Sequence, residues 1–134
     1  MRRVLAWEGV PKRRARVEVT LLDAAAMRRL NRRAFGRRAL TDVIAFALPQ
    51  PDGTLVGDVY VCPEAAIGWV NGRGKGRGKG KGEEGRVAEE LVRLAVHGAL
   101  HVLGYDHPAG RDRVRSPMWR RQECYVRRLL ALGS

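Results

Sequence analysis

The segment from Arg86 to Leu103 constrains this chain more than any other. Val87, Leu91, Val92, Leu94, Ala95, Val96, Ala99, Leu100, Val102 and Leu103 cover most of a helical wheel and leave one narrow polar stripe. A helix apolar nearly all round is a buried helix, so the rest of the chain has to wrap it. Gly104 is well placed to end it. The stripe holds His97 and His101. Four residues turn an α-helix by about 400°, so the two imidazoles leave the same side one turn apart. A glycine at 104 can reverse the chain and bring His107 back to that side. The chain has no other histidine. Three nitrogens with an open fourth position are how a catalytic zinc ion is held; nickel, copper and iron are also chemically compatible. A lone histidine on an apolar helix is more often a satisfied core residue. Three at this spacing, with a glycine at the turn, favour a metal site.

The pattern is HxxxHxxGxxH. Metzincin proteases read HExxHxxGxxH, where the Glu is the general base for peptide hydrolysis. Here that place is Gly98, which can neither take a proton from water nor pass one on. The metal cradle is kept and the proteolytic base is missing, which disfavours a peptidase.

Around this helix the sequence alternates strand and helix signals. Val4–Trp7 reads as an edge strand, and residues 9–14 as a turn and a basic linker. Val17, Val19 and Leu21 alternate with Glu18, Thr20 and Leu22 as a strand over 17–22. Asp23 can cap a helix, and residues 24–34 form an amphipathic one with a basic outer face that includes Arg28, Arg32 and Arg33, ended by Gly36. Thr41–Leu48 and Val56–Cys62 are β-rich and flank Pro49-Gln50-Pro51-Asp52-Gly53, an antiparallel hairpin signal. Pro63-Glu64 opens a helix over 65–70, and a last helix spans about Pro117–Leu132. Residues 72–85 are low complexity, seven glycines and five Arg or Lys in fourteen. Glycine costs a helix roughly 1 kcal/mol relative to alanine, so a flexible solvated loop is expected there, either a surface insertion or a contact to a phosphate backbone.

Length and composition bound the rest. The 134 residues make about one domain, 1–134, with an affordable core, and no apolar run reaches the roughly 20 residues of a membrane helix or follows the start as an export signal would. Cys62 and Cys124, far apart and without such a signal, read as small buried side chains in a reducing, cytoplasmic compartment. Lys+Arg 26 against Asp+Glu 14 leaves +12, and that field favours a polyanion such as RNA or DNA.

The segment HGALHVLGYDH resembles the HGxLHLxGYDH motif of the YbeY family of bacterial endoribonucleases, the rRNA maturation factors. The likeness extends to Leu30-Asn31, to Thr41-Asp42-Val43-Ile44-Ala45-Phe46, to the strand ending at Cys62, and to Met118 and Glu123, about residues 16–131 in all. The resemblance implies an α+β fold, a small mixed β-sheet packed with helices and a zincin-like metal-binding helix. It implies one Zn2+ per chain on His97, His101 and His107. It also implies single-strand-specific endoribonuclease activity in 16S rRNA 3′-end maturation and ribosome quality control. The partners are then rRNA and the small ribosomal subunit, and a ribosomal protein or GTPase partner is compatible with this. Three departures stand out. The leader is too short for the helix that the family carries before its first strand. Residues 72–85 replace ordinary helical sequence. Phe35 stands where many members have an Arg thought to be functional, and Arg33, Arg37 or Arg38 remain to take its place.

On this reading RNA is bound by Arg28, Arg32, Arg33, Arg37 and Arg38, and Arg37 and Arg38 are candidate catalytic groups because a guanidinium matches phosphate geometry. Asp106 either orients a histidine or caps its own turn. Glu90 and Arg93 lie on the histidine stripe and either support the site or pair with each other. A non-catalytic, zinc-stabilised RNA-binding assembly factor is the alternative. Against it, structural zinc usually has four ligands with cysteine among them.

Overall fold

The computed structural model describes residues 1–73, 82–108 and 110–132. In chain order these form α1 (Arg2–Trp7), β1 (Ala15–Leu21), α2 (Ala24–Phe35), β2 (Val43–Pro49), β3 (Leu55–Val61), α3 (Pro63–Arg73), α4 (Glu83–Val102), a 3-10 turn (Gly110–Arg115) and α5 (Pro117–Leu132). The fold is α+β, with a small mixed sheet of order β1-β3-β2.

The strands form where β-branched and aromatic residues alternate between two covered faces. β3 runs parallel to β1, with Val17 opposite Gly57 and Leu21 opposite Val61. It runs antiparallel to β2 across the expected hairpin, with Val43 opposite Val61 and Pro49 opposite Leu55. The period of two then sorts the layers. Val59 and Val61, with Val17, Val43, Ala45 and Leu55, pack against Leu91, Leu94 and Val102 of α4. On the other face Ile44, Phe46, Tyr60 and Cys62 pack against Met27 and Leu30 of α2. The sheet therefore separates the basic helix from the histidine helix.

Two glycines let α4 lie close to the sheet. A Cβ on Gly98 would stand 2.5 Å from Val59 Cγ1, and a Cβ on Gly57 would stand 2.5 Å from Val102 Cγ1. One glycine belongs to the helix and the other to the strand, so each element has a valine seated in the other's gap. Behind α4, Val96 and Leu100 meet Met118, Tyr125 and Val126 of α5 and Val4 of α1.

The helix ends follow their signals. Asp23 accepts from the Ala26 amide at 2.8 Å, Gly36 takes the left-handed C-cap with φ 66°, and Glu64 of α3 reaches across to the Ala24 amide at 3.3 Å. The elements expected at 17–22, 24–34, 41–48, 56–62, 65–70 and 117–132 are all present within a few residues.

Four expectations need correction. Val4–Trp7 is helical instead of an edge strand, and a helix does precede β1 despite the short leader. Six residues do not hold a helix by propensity; packing does, with Val4 and Leu5 buried, Glu8 bonded to Arg121 at 2.8 Å and to the Tyr125 hydroxyl, and Arg128 4.2 Å over the Trp7 ring. Of the loop expected over 72–85, Gly72 and Arg73 instead finish α3 and Glu83–Gly85 begin α4; the part of that expectation that falls on 74–81 lies outside the described residues. Cys62 is buried, but Cys124 is exposed, because α5 buries Met118, Gln122, Tyr125 and Val126 and position 124 falls off that stripe. The 3-10 turn had no sequence signal of its own.

Candidate metal centre

The three histidines converge. Their ring centroids lie 4.5 to 5.0 Å apart, and one ligand atom from each falls within 4.8 Å of the others. α4 supplies His97 and His101 from its stripe. The return of His107 rests on Gly104, whose φ of 100° is open to glycine and strained for other residues. The turn is closed by the Gly104 amide on the His101 carbonyl and the Tyr105 amide on the Leu100 carbonyl, both at 3.0 Å.

The outer nitrogen of each ring is occupied. Gln122 Nε2 donates to Glu123 Oε2 at 3.0 Å, which fixes the amide so that its Oε1 faces His97 Nδ1 at 2.7 Å. An amide oxygen only accepts, so His97 Nδ1 carries the proton. His101 Nδ1 likewise donates to the Tyr105 carbonyl at 3.0 Å, and His107 Nδ1 to the Pro108 carbonyl at 3.0 Å. Burial, joined by the two neighbouring imidazoles and Arg113, pushes His97 down to about 4, and burial also lowers His101. Near neutral pH, His97 and His101 therefore turn unprotonated Nε2 lone pairs on each other at 3.0 Å. Two acceptors at that distance repel unless a cation sits between them. For tetrahedral Zn–N bonds of about 2.0–2.1 Å, neighbouring nitrogens stand about 3.3 Å apart. The donor set thus fits a divalent ion of the imidazole-preferring kind, a class that includes zinc, nickel, copper and iron.

Behind His97 lies a charged network between α4 and α5. Arg93 forks onto Glu123, Nε at 2.8 Å and Nη2 at 2.9 Å, and also meets Glu90 at 2.9 Å and Glu89 at 3.2 Å. Glu123 in turn holds Gln122. Glu90 and Arg93 therefore pair with each other and reach His97 through two intermediaries. Burial raises the Glu90 carboxyl despite the guanidinium beside it. These carboxylates raise Arg93 further above its usual range. Gln122 was missed from sequence, although a glutamine on the apolar stripe of α5, four residues after Met118, was the available signal.

Asp106 accepts from the backbone amide of His107 at 2.8 Å, the turn-capping role; the histidine ring nitrogens bond elsewhere. Arg28, Arg32 and Arg33 are exposed on α2, across the sheet from α4, and Arg37 and Arg38 are exposed on the loop after it. None of them lines the cleft beside His97, which is bounded by Asp42, Val43, Glu90, Arg93, Leu94, Arg113, Trp119 and Gln122. Asn31 is buried and donates to the Ala39 carbonyl at 2.8 Å, holding the loop that leads to Asp42. Phe35 stacks on Phe46 at 6.0 Å on the α2 side of the sheet.

A family described as Endoribonuclease YbeY matches residues 1–130. The chain belongs to the YbeY family. It is 39% identical over 104 residues to an Endoribonuclease YbeY from Moorella thermoacetica, covering 69% of this chain and 60% of that one. It is 35% identical to the Mycolicibacterium gilvum protein of the same name and 34% to that of Mycobacterium tuberculosis, each over 69% of this chain and 53% of the other. The chain thus aligns with about half to three-fifths of the length of these YbeY relatives. A solution structure from Thermotoga maritima shares the fold, with a TM-score of 0.63 at 24% identity over 98% of this chain and 77% of that one. The YbeY match also extends the likeness to α1, upstream of the strand where the sequence motifs begin. No helix among the described residues is long and apolar enough to cross a membrane.

Proposed function

We propose that the chain is a zinc-dependent endoribonuclease that hydrolyses phosphodiester bonds of single-stranded RNA, acting in the cytoplasm on 16S rRNA 3′-end maturation and ribosome quality control. One observation carries the metal-dependent part: the bare Nε2 atoms of His97 and His101 facing each other at 3.0 Å, with each Nδ1 committed outward. The YbeY relatives, named as endoribonucleases, support RNA as the substrate, as does the net charge of +12.

His97, His101 and His107 would hold the ion. When bound, such an ion makes water acidic enough to yield hydroxide near neutral pH and draws charge from a phosphate oxygen. The protein's own contribution is to keep the rings neutral and aimed. Gln122 fixes the tautomer of His97, and the Tyr105 and Pro108 carbonyls fix those of His101 and His107. Three nitrogens leave a position for substrate or water. Among the described residues the group that could hold an ion is made of His97, His101 and His107, and neither Cys62 nor Cys124 joins it, which favours catalysis over a structural zinc.

The test is metal analysis joined to cleavage of a single-stranded RNA. Wild type should carry about one zinc per chain and cleave; His101→Ala should lose both. Cleavage that persists in the zinc-free variant would overturn the proposal.

A further inference from the structure

Phosphoryl transfer needs charge neutralisation at the phosphate more than covalent help from the protein. Among the described residues, two cationic side chains line the cleft beside His97, Arg93 and Arg113. Arg93 is spent on Glu89, Glu90 and Glu123. Arg113 forms no ion pair among the described residues. It is exposed, and its guanidinium carbon lies 5.6 Å from the centre of the Trp119 ring, whose residue lines the same cleft. Arginine stacks well on an aromatic face and keeps its fork of donors free.

The backbone beneath Arg113 is fixed. Its carbonyl accepts from Ser116 Oγ at 2.7 Å, and Ser116 Oγ in turn accepts from the Trp119 amide at 3.2 Å. Ser116 is buried, so the 3-10 turn and the start of α5 are tied at one point.

We infer that Arg113, seated on Trp119, is the phosphate-binding residue of the cleft, contacting the RNA backbone next to the histidine centre. This rests on the endoribonuclease reading above and adds a residue to it. Arg113 makes no bond to a histidine, so its loss should leave the metal in place.

The experiment compares wild type, Arg113→Ala, Arg113→Lys and, as a control on a distant exposed charge, Arg16→Ala. A fluorescein-labelled single-stranded RNA is titrated by anisotropy across a salt series, with bound metal and kcat/KM for cleavage measured on the same preparations. Arg113→Ala should keep its metal, lose roughly 10–100-fold in kcat/KM, and reduce the slope of log K against log salt by about 0.7, one phosphate contact on a single strand. Arg113→Lys should restore the slope and only part of the rate, because an ammonium lacks the fork. Unchanged kcat/KM and slope in Arg113→Ala would overturn the inference, as would loss of metal, which would make the residue structural. Should wild type bind RNA without cleaving it, the nuclease reading fails and the salt slope alone decides: a reduced slope supports Arg113 and an unchanged one overturns it. Wild type that binds no RNA overturns both.

Discussion

At the scale of single residues, the centre depends on groups that never touch a metal. Gln122 is buried, and its amide orientation is dictated by Glu123. Gln122→Leu removes the acceptor that holds His97 in one tautomer, and such outer partners typically matter 10–100-fold for metal affinity. Zinc competition against a chromophoric chelator should show that loss with an unchanged circular dichroism spectrum. The pH response has a definite sign. In metal-free protein His97 is held near 4, while an unfolded chain takes up its proton near 6.5. Between those values the unfolded state binds more protons, so stability is lost as pH falls. Urea unfolding of His97→Ala against metal-free wild type should therefore shift in the variant's favour by roughly 1–2 kcal/mol between pH 7 and 5. No shift would mean that the imidazole is solvated and titrates normally.

At the scale of elements, Gly98 acquires a second meaning. Its place in the histidine motif marks the absence of a proteolytic base. The structure adds that no side chain fits there at all, since a Cβ would meet Val59 of β3. Gly98→Ala should cost about 1–3 kcal/mol through overpacking. In a thermal double-mutant cycle, Val59→Ala should recover part of that cost, because the two sites share one contact. Additive losses would show that helix and strand relax independently. The three histidines and the buried run of α4 were legible because spacing and periodicity are local properties. α1 was not, because its helix is imposed by α5 through Glu8, Tyr125 and Arg121, more than a hundred residues away. Nor was the cleft. Gln122, Trp119 and Arg113 belong to α5 and the turn before it, and only tertiary packing brings them to His97.

At the scale of the whole molecule, the basic helix α2 and the histidine centre are divided by the sheet. The arginines of α2 cover one side and the histidines lie on the other, so a long RNA strand would have to pass around an edge of the sheet to meet both. Replacing Arg28, Arg32 and Arg33 together by alanine should then raise KM for a long RNA while leaving kcat within about twofold, and should leave a very short oligonucleotide unaffected. Equal losses in kcat for both lengths would place these arginines at the reacting phosphate. The interlock of Gly98 under Val59 and Val102 over Gly57 has a consequence for reuse of this centre. The two contacts index the helix to the strand in both rotation and translation, much as two dowels locate a plate. The coordinate frame of the histidines is thus set by β3 and not by the connections around it. Grafting HxxxHxxGxxH onto another scaffold would have to carry the strand along with the helix; the motif alone would arrive without its angular reference.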